Sequence, residues 1–562
     1  MLILNLLNKY WPLLAAAFLA ILQGYHYGIG DLATYVPFVW HHIDPQYFSG
    51  DLLTRTLGDH PVYIWHLVAF LARLMDIQTV FFVLFIAQVL LLAMAYRYFF
   101  RTFFSTGDPG WIVMLLILVT PINAAAMGRY GLNPYLYFHP GALAQAALLF
   151  GYCLLDRDRW LAGSAVLGAI FLFHPFTALY GALLLGFRIL IDFRHQPLSL
   201  LLMSMALFLL VSAPSWGPFL YHKIGAGEIA FDKALWLELV RGRMKFSFFI
   251  SQWIPDRFIH LLLASAGILA YHRHPAFRRL LPVLLTVATA LLVMALGDLF
   301  SIKFILQLQL ARNSFLLFPV IAGLVIHHIM HMPPGQLRSW RALLLLVPLI
   351  LMLQTPVGDK TNPARWLLLS MALLGTIWIV WQAMPHWRRF YVGLIWALAL
   401  VMCGTLVVNR LTETGRFVDE TATSPWEQLQ IFCERELPVD AVVMTPIHRE
   451  GFRSLSKRSI FGSFKDGAPH NYSNKTIFEW WERMQALGVT LPFRRDRFPG
   501  LYRENAEKVA RQNGIRYVVY ERGSQSPDES WEGILYENEG FRIVDLDALN
   551  PGKEKDADQV DE

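Results

Sequence analysis

Apolar blocks recur from Met1 to about Asn409, and a polar segment of about 150 residues follows only after the last of them. A block that crosses a bilayer needs about 20 mostly apolar residues, although shorter or tilted helices occur inside bundles. About thirteen blocks qualify: 11–27, 78–96, 111–127, 139–155, 160–174, 176–191, 198–214, 258–271, 280–296, 304–329, 341–353, 366–384 and 391–409. A water-soluble chain of this length would not carry 55% hydrophobic and only 16% charged residues, so lipid is the solvent for most of this one. The pattern predicts an all-α polytopic membrane bundle over 1–409, a small α/β domain over 410–548 that is water-soluble and non-cytoplasmic, and a charged, disordered end at 549–562.

The run 61–75 decides the topology. Fifteen residues of helix reach about 22 Å, short of a hydrocarbon core of about 30 Å. If the run does not cross, the turns holding Lys9, Arg97 and Arg101, Arg157 and Arg159, Arg188 and Arg194, Arg273 with Arg278 and Arg279, Arg338 and Arg341, and Arg388 and Arg389 share one side. Short cytoplasmic loops carry the Lys/Arg excess, so that side is the cytoplasm. The run then reads as a re-entrant or interfacial helix, and an odd number of crossings from a cytoplasmic N-terminus puts the C-terminal domain in the periplasm or outside the cell. Loops at about 28–76 and 215–257 face the same side. The N-terminal block reads as an uncleaved anchor, and the compact loops suit a bacterial inner membrane.

The first of these loops holds Asp31, Asp44, Asp51 and Asp59 inside about thirty residues, the densest acidic cluster of the membrane half. Leu32, Val36, Val39 and Ile43 fall near helical spacing and predict a helix lying at the interface, with Asp31, Thr34, His41 and His42 on its other faces. Asp44 and Asp59 read as turn and cap residues. Asp31 sits a few residues beyond the first span, where a carboxylate can face both the bundle and the aqueous layer.

An outer loop that opens with an acid followed four residues later by Tyr (Asp31, Tyr35), and returns through an xPxY segment (His60-Pro61-Val62-Tyr63), resembles the C-type superfamily of membrane glycosyltransferases. LPVDAVVMTP and NGIRYVVYER in the tail are similar to strand segments of soluble domains found in that group. The resemblance implies transfer of a sugar from a polyprenyl-phosphate carrier to a saccharide, lipid or protein acceptor at the outer face. Two departures stand out. Many members pair two acids at the first site, whereas Leu32 follows Asp31, so a pair would need Asp51 brought close by folding. The basic residue often found before the xPxY segment is His60.

That chemistry needs a base beside the acceptor hydroxyl and donors beside the departing phosphate, each a large term in rate. Asp31 is the candidate base and Asp51 the second candidate carboxylate. Arg129, Lys303 and Arg312 are the candidate phosphate ligands, and His139 and His174, each followed by Pro, with Tyr35 and His60 are further substrate-binding candidates. An Arg within a span is costly unless it faces a cavity or partner, and its guanidinium grips phosphate through parallel hydrogen bonds. No motif fixes a cofactor; a divalent metal stays open, and no metal-ligand spacing is present. The segment 449–465 is basic and aromatic and reads as a solvated face, with an anionic saccharide or lipid headgroup as the alternative ligand. Within 215–257, Ile229, Leu235, Trp236 and Leu239 suggest an amphipathic helix over the membrane surface.

Strands are expected near 440–445, 516–520 and 541–544, and helices over 475–487 and 501–512. Cys153, Cys403 and Cys433 are scattered and build no disulfide framework or metal knuckle. The +6 net charge is spread over short turns, which argues against nucleic acid. No phosphate loop, HExxH or GxSxG motif supports NTP hydrolysis, metalloprotease or serine hydrolase chemistry. A transporter and a non-catalytic assembly protein for envelope glycans or lipids are the alternatives; the absence of an internal repeat of broken spans weakens the first.

Overall fold

The computed structural model describes residues 24–59, 62–104, 137–225, 231–253, 272–317, 424–473, 475–493, 503–522 and 532–548, with scattered positions within 10–20, 265–269, 319–327 and 408–421. Among the described residues the protein is mostly helical, with one small sheet in its C-terminal part. The chain divides into two compact units, one of Met1–Tyr25, Val83–Gly217 and Met244–Asp419, the other of His26–Phe82, Pro218–Arg243 and Glu420–Glu562. The two loop segments that are remote from the tail in sequence therefore belong with it in the second unit.

The first helices are α1 (Leu32–Ile43), α2 (Ile64–Ala72), α3 (Ile77–Phe104), α4 (Pro140–Asp156), α5 (Trp160–Ala169), α6 (Pro175–Asp192), α7 (Leu198–Gly225), α8 (Lys233–Phe248) and α9 (Pro275–Leu299). Among the described residues, four stretches are long and apolar enough to cross a membrane: α3, α6, Leu198–Pro218 and α9. Together with the composition they make the chain an integral membrane protein. These coincide with expected spans, as do the shorter apolar helices at Pro140–Asp156 and Trp160–Leu172. The expected spans at 111–127, 341–353, 366–384 and 391–409 lie outside the described residues, so a total of thirteen is not established.

One expected span is broken where it is described. Instead of a helix from 304, a short helix Lys303–Gln307 ends before Gln309, which takes a φ of +48°, and a 3₁₀ stretch Leu310–Leu316 follows. A left-handed non-glycine residue cannot continue an α-helix. Arg312 thus sits on a 3₁₀ turn rather than inside a continuous helix. In the same unit Asp156 at the end of α4 receives Arg279 of α9 and lies 3.7 Å from Arg188, which pairs with Asp192 at 2.7 Å. These side chains tie three helix ends together.

In the second unit α2 has nine residues, about 13 Å, and is too short to cross. Its Ile64, Trp65, Val68 and Ala69 are buried, while Tyr63, Leu67, Phe70 and Leu74 form an exposed apolar stripe just before α3 begins. The apolar face of α1 is used differently from expectation: Leu32, Val36 and Val39 are fully buried inside the unit. The same holds for α8, whose Trp236 Nε1 donates to the Asn471 carbonyl at 3.2 Å. Its Trp236, Leu239 and Val240 are buried, and Phe231, just ahead of it, meets Phe478 at 5.5 Å. A protein surface covers what the hydropathy pattern assigned to lipid.

The C-terminal domain adds α10 (Pro425–Glu436), α11 (Phe452–Ser456), α12 (Gly467–His470), α13 (Thr476–Ala486) and α14 (Arg503–Gln512). Its strands are β1 (Val442–Met444), β2 (Ser459–Ile460), β3 (Tyr517–Glu521), β4 (Ile534–Glu537) and β5 (Phe541–Asp545), in the order β2-β1-β3-β5-β4. The first three are parallel, and β5 and β4 run antiparallel. Leu429 and Cys433 of α10 pack against Val443, Val519 and Ile543 at the sheet centre. Burial pushes the Cys433 thiol up to about 12, so it acts as a small apolar group at neutral pH. Ile543→Ala removes a fully buried side chain from this core. It is expected to cost about 2–5 kcal/mol, read as faster hydrogen exchange at Val518 and Val519.

Candidate functional site

Two glycines let the first loop and the C-terminal domain meet at backbone distance. Gly451, at the start of α11, has a φ of +84°, and a Cβ there would lie 2.4 Å from the Gly28 carbonyl oxygen. Gly28 has a φ of +83°, and its Cβ would lie 2.6 Å from Ser454 Cβ. A side chain at either position would force the segments apart.

That approach brings Arg453 of α11 between two carboxylates. Its Nε donates to Asp51 Oδ2 at 2.6 Å and its Nη2 to Asp51 Oδ1 at 2.8 Å. Nη1 and Nη2 donate to Asp466 Oδ1 and Oδ2 at 2.8 and 2.9 Å. Asp51 also accepts the backbone N–H groups of Leu53 and Ile460, and Asp466 that of Ser463. The exposures of Asp51, Arg453 and Asp466 are 1%, 3% and 4%, so all three are sealed from water. Asp51, the second candidate carboxylate, thus has both oxygens engaged in this lattice. Burial opposes the charge on Arg453, but Asp466 and Asp51 outweigh it and raise its pKa. Burial likewise pushes the Asp466 carboxyl up, yet the Arg453 charge and its hydrogen bonds hold it below the usual carboxylate range.

The neighbouring residue, Lys465, donates from Nζ to Asp31 Oδ1 at 2.9 Å, with the two side chains 12% and 14% exposed. Glu450 Oε2 lies 4.0 Å from the same ammonium. Asp31 is the N-cap residue of α1 but makes no side-chain cap hydrogen bond. Arg243 of α8 reaches the same turn, donating to the carbonyls of Phe464 and Lys465 at 2.8 Å each and lying over the Phe464 ring. Tyr35 stacks on Trp65 with ring centroids 4.4 Å apart. His42 meets His66 at 4.2 Å, and burial, then His66 and His41, lower its pKa to about 4.

The expected solvated basic face over 449–465 does not form. Arg458 is buried and caps the end of α10 by donating to the carbonyls of Glu434 and Leu437 at 2.7 and 2.5 Å. Lys457 pairs with Glu434 at 3.0 Å and covers the Trp40 ring, and Arg449 pairs with Glu521 at 2.5 Å. Arg453, Lys465 and Asp466 were not legible as site residues, because their partners lie 402, 434 and 13 positions away.

The first unit holds a second polar group. His139 and His174 are the N-caps of α4 and α6, their Nδ1 atoms accepting from the N–H groups of Gly141 and Thr177 at 2.9 and 3.2 Å. That acceptance places the proton of each neutral ring on Nε2, making it a donor. The ring centroids are 6.0 Å apart, Phe176 lies beside His174, and Arg312, 5% exposed, lies over Phe176 at 5.9 Å. Gln88 of α3 accepts the His139 backbone N–H at 2.7 Å, while its Nε2 is buried with no hydrogen-bond partner among the described residues. A Gln in the middle of a long apolar helix was the signal for it. Lys303 is half-buried at the start of its short helix. Arg129 and His60 lie outside the described residues. Among the described residues no group of three or more His, Cys, Asp or Glu could hold a metal ion.

Residues 424–487 match a family described as "Domain of unknown function (DUF6798)". No curated protein matches the chain. A crystal structure of ArnT from Cupriavidus metallidurans bound to undecaprenyl phosphate is 11% identical and is similar over 96% of this chain and 97% of that one, with a TM-score of 0.48. A likeness at that level carries no argument about this chain's fold or substrate.

Losing the charge on Asp466 should loosen the hold of Arg453 on the turn that carries Asp466, while Asp51 keeps its pair. A carboxyl whose folded pKa is depressed contributes stability above its unfolded pKa of about 3.9, lost as pH falls through the folded value. His42 titrates between about 4 folded and about 6.5 unfolded, so protons also favour unfolding across that window. The second unit is therefore expected to weaken in steps, first below about pH 6.5 and then below about 4. Asp466→Asn should cost about 1–3 kcal/mol at pH 7, the loss of charge-assisted hydrogen bonds to a guanidinium that Asp51 still pairs. Thermal unfolding followed by tryptophan emission from pH 8 to 3 checks both.

Proposed function

We propose that the protein is a membrane glycosyltransferase of the C-type kind that moves a hexosyl or pentosyl group from a polyprenyl-phosphate carrier to an acceptor at the outer face of a bacterial inner membrane. The observation that carries this reading is Asp31: a carboxylate just after the first expected span, partly open to solvent, and held by a cation rather than spent on capping its helix.

In this reading Asp31 takes the proton of the acceptor hydroxyl as its oxygen bonds to the anomeric carbon. The bond from that carbon to the phosphate oxygen breaks, and polyprenyl phosphate leaves with the electron pair. Asp51 has a positioning role, since its oxygens are already occupied by Arg453 and by backbone N–H groups. Arg312, His139 and His174 are the candidate ligands of the carrier phosphate: one guanidinium and two ring N–H donors suit an anion in a water-poor setting. Lys303, Arg129, Tyr35 and His60 are retained as further substrate-binding candidates.

The test uses purified protein in proteoliposomes, supplied with a membrane extract from cells lacking the gene, and follows free polyprenyl phosphate by mass spectrometry. The wild type should release it. Asp31→Asn should slow release by about 10²- to 10⁴-fold in protein that is still folded. Arg312→Leu should weaken binding of undecaprenyl phosphate by at least about tenfold, the loss of one charge-assisted contact. Release by Asp31→Asn at the wild-type rate would remove Asp31 from the chemistry, and wild-type protein that releases nothing would favour transport or assembly.

A further inference from the structure

We infer that the turn Ser463–Gly467 of the C-terminal domain is a working part of the transfer site, with Lys465 as the positioning residue for Asp31; this rests on the function proposed above. The inference starts from how firmly that turn is held. Ser463 and Asp466 exchange hydrogen bonds across it, the Ser463 N–H donating to Asp466 Oδ2 and the Asp466 N–H to Ser463 Oγ. Asp466 is fastened through Arg453 to Asp51 of the first loop. Arg243 of α8 clamps the carbonyls of Phe464 and Lys465. Trp480 donates from Nε1 to the Ser463 carbonyl at 2.9 Å. Three separate stretches of the chain thus fix the backbone from which the Lys465 side chain springs.

An exposed ion pair between long side chains is worth little, because both must be immobilised in solvent. Lys465 and Asp31 differ in being almost buried, and in having one end mounted on a turn that other contacts hold. Asp31 has helical backbone angles (φ −74°, ψ −19°) and makes no side-chain cap hydrogen bond, so its carboxylate is not directed to the first N–H groups of α1. It points its carboxylate to Lys465 instead. The ammonium therefore holds the carboxylate in one direction, which a base needs before the acceptor arrives. The segment matched as a domain of unknown function contains Lys465, Asp466 and Arg453, and through them it completes the carboxylate site of the first loop.

The experiment measures polyprenyl phosphate release, in proteoliposomes with membrane extract from the deletion strain, against the amount of extract. Lys465→Met should lower the maximal rate by about 10- to 100-fold with half-saturation unchanged within about twofold, since the contact acts on the base and not on carrier binding. Lys465→Arg should recover most of the loss. Lys465→Cys should behave like Lys465→Met, and alkylation of that thiol with 2-bromoethylamine, which adds an ammonium at nearly the original length, should restore the rate. The Cys variant also serves if the Met variant fails to fold. A purely structural role predicts a lower unfolding temperature, with the remaining folded protein working at the normal rate. A maximal rate that is unchanged or raised in Lys465→Met or unmodified Lys465→Cys overturns the inference while the proposed function stands. Absence of release by the wild type overturns both.

Discussion

Arg453 between Asp51 and Asp466 is the interaction on which the second unit depends. Two carboxylates and one guanidinium are removed from water together, which leaves one net negative charge in a setting where an unpaired ion costs several kcal/mol. The lattice tolerates that excess because backbone N–H groups of Leu53, Ile460 and Ser463 also point at the carboxylates. Remove the guanidinium and two like charges face each other with only those dipoles between them. Replacing the whole triad by apolar side chains of equal volume would be far less harmful. Its value is therefore geometric: the planar fork of Arg453 accepts only one arrangement of loop, helix and turn.

That arrangement has a consequence for the neighbouring residue. Lys465 and Asp466 are adjacent, so fixing Asp466 fixes the origin of the Lys465 side chain, and Arg243 fixes its carbonyl. The pairing of Lys465 with Asp31 then requires little further ordering, which is why a lysine, with its long flexible stem, can serve here as a well-placed cation. The close approach of Gly28 and Gly451 belongs to the same construction. Both glycines occupy the left-handed region, and each removes a Cβ that would otherwise hold loop and domain apart.

Much of the secondary structure was legible because it rests on local patterns. The strands at 442–444, 517–521 and 541–545 and the helices at 476–486 and 503–512 fall where alternation and helical spacing place them. α10 was missed although Ser424 and Glu427 form a capping box, a signal readable in the sequence. β2 has two residues and β4 is largely exposed at the sheet edge, so neither leaves a periodic trace. The break at Gln309 escaped because hydropathy reports solvent preference and says nothing of φ. The apolar faces of α1 and α8 were given to lipid for a related reason: a hydrophobic stripe states that it must be covered, and does not state by what.

The candidate site was legible only in part, for reasons of range. Asp31 stood out by its position, and His139, His174 and Arg312 by the cost of polar groups among apolar blocks. Their surroundings could not be read, because the contacts that define them join distant segments. The basic run 449–465 makes the point most sharply. As composition it is a solvated or anion-binding face; as structure its cations are used on Asp51, Asp466, Glu434, Asp31, Glu521 and the carbonyls ending α10. A charge run reports only how many cations are available. Whether they meet solvent, a ligand or the protein itself depends on carboxylates placed elsewhere, and here the acids of the first loop, read as the richest cluster of the membrane half, supply two of the partners.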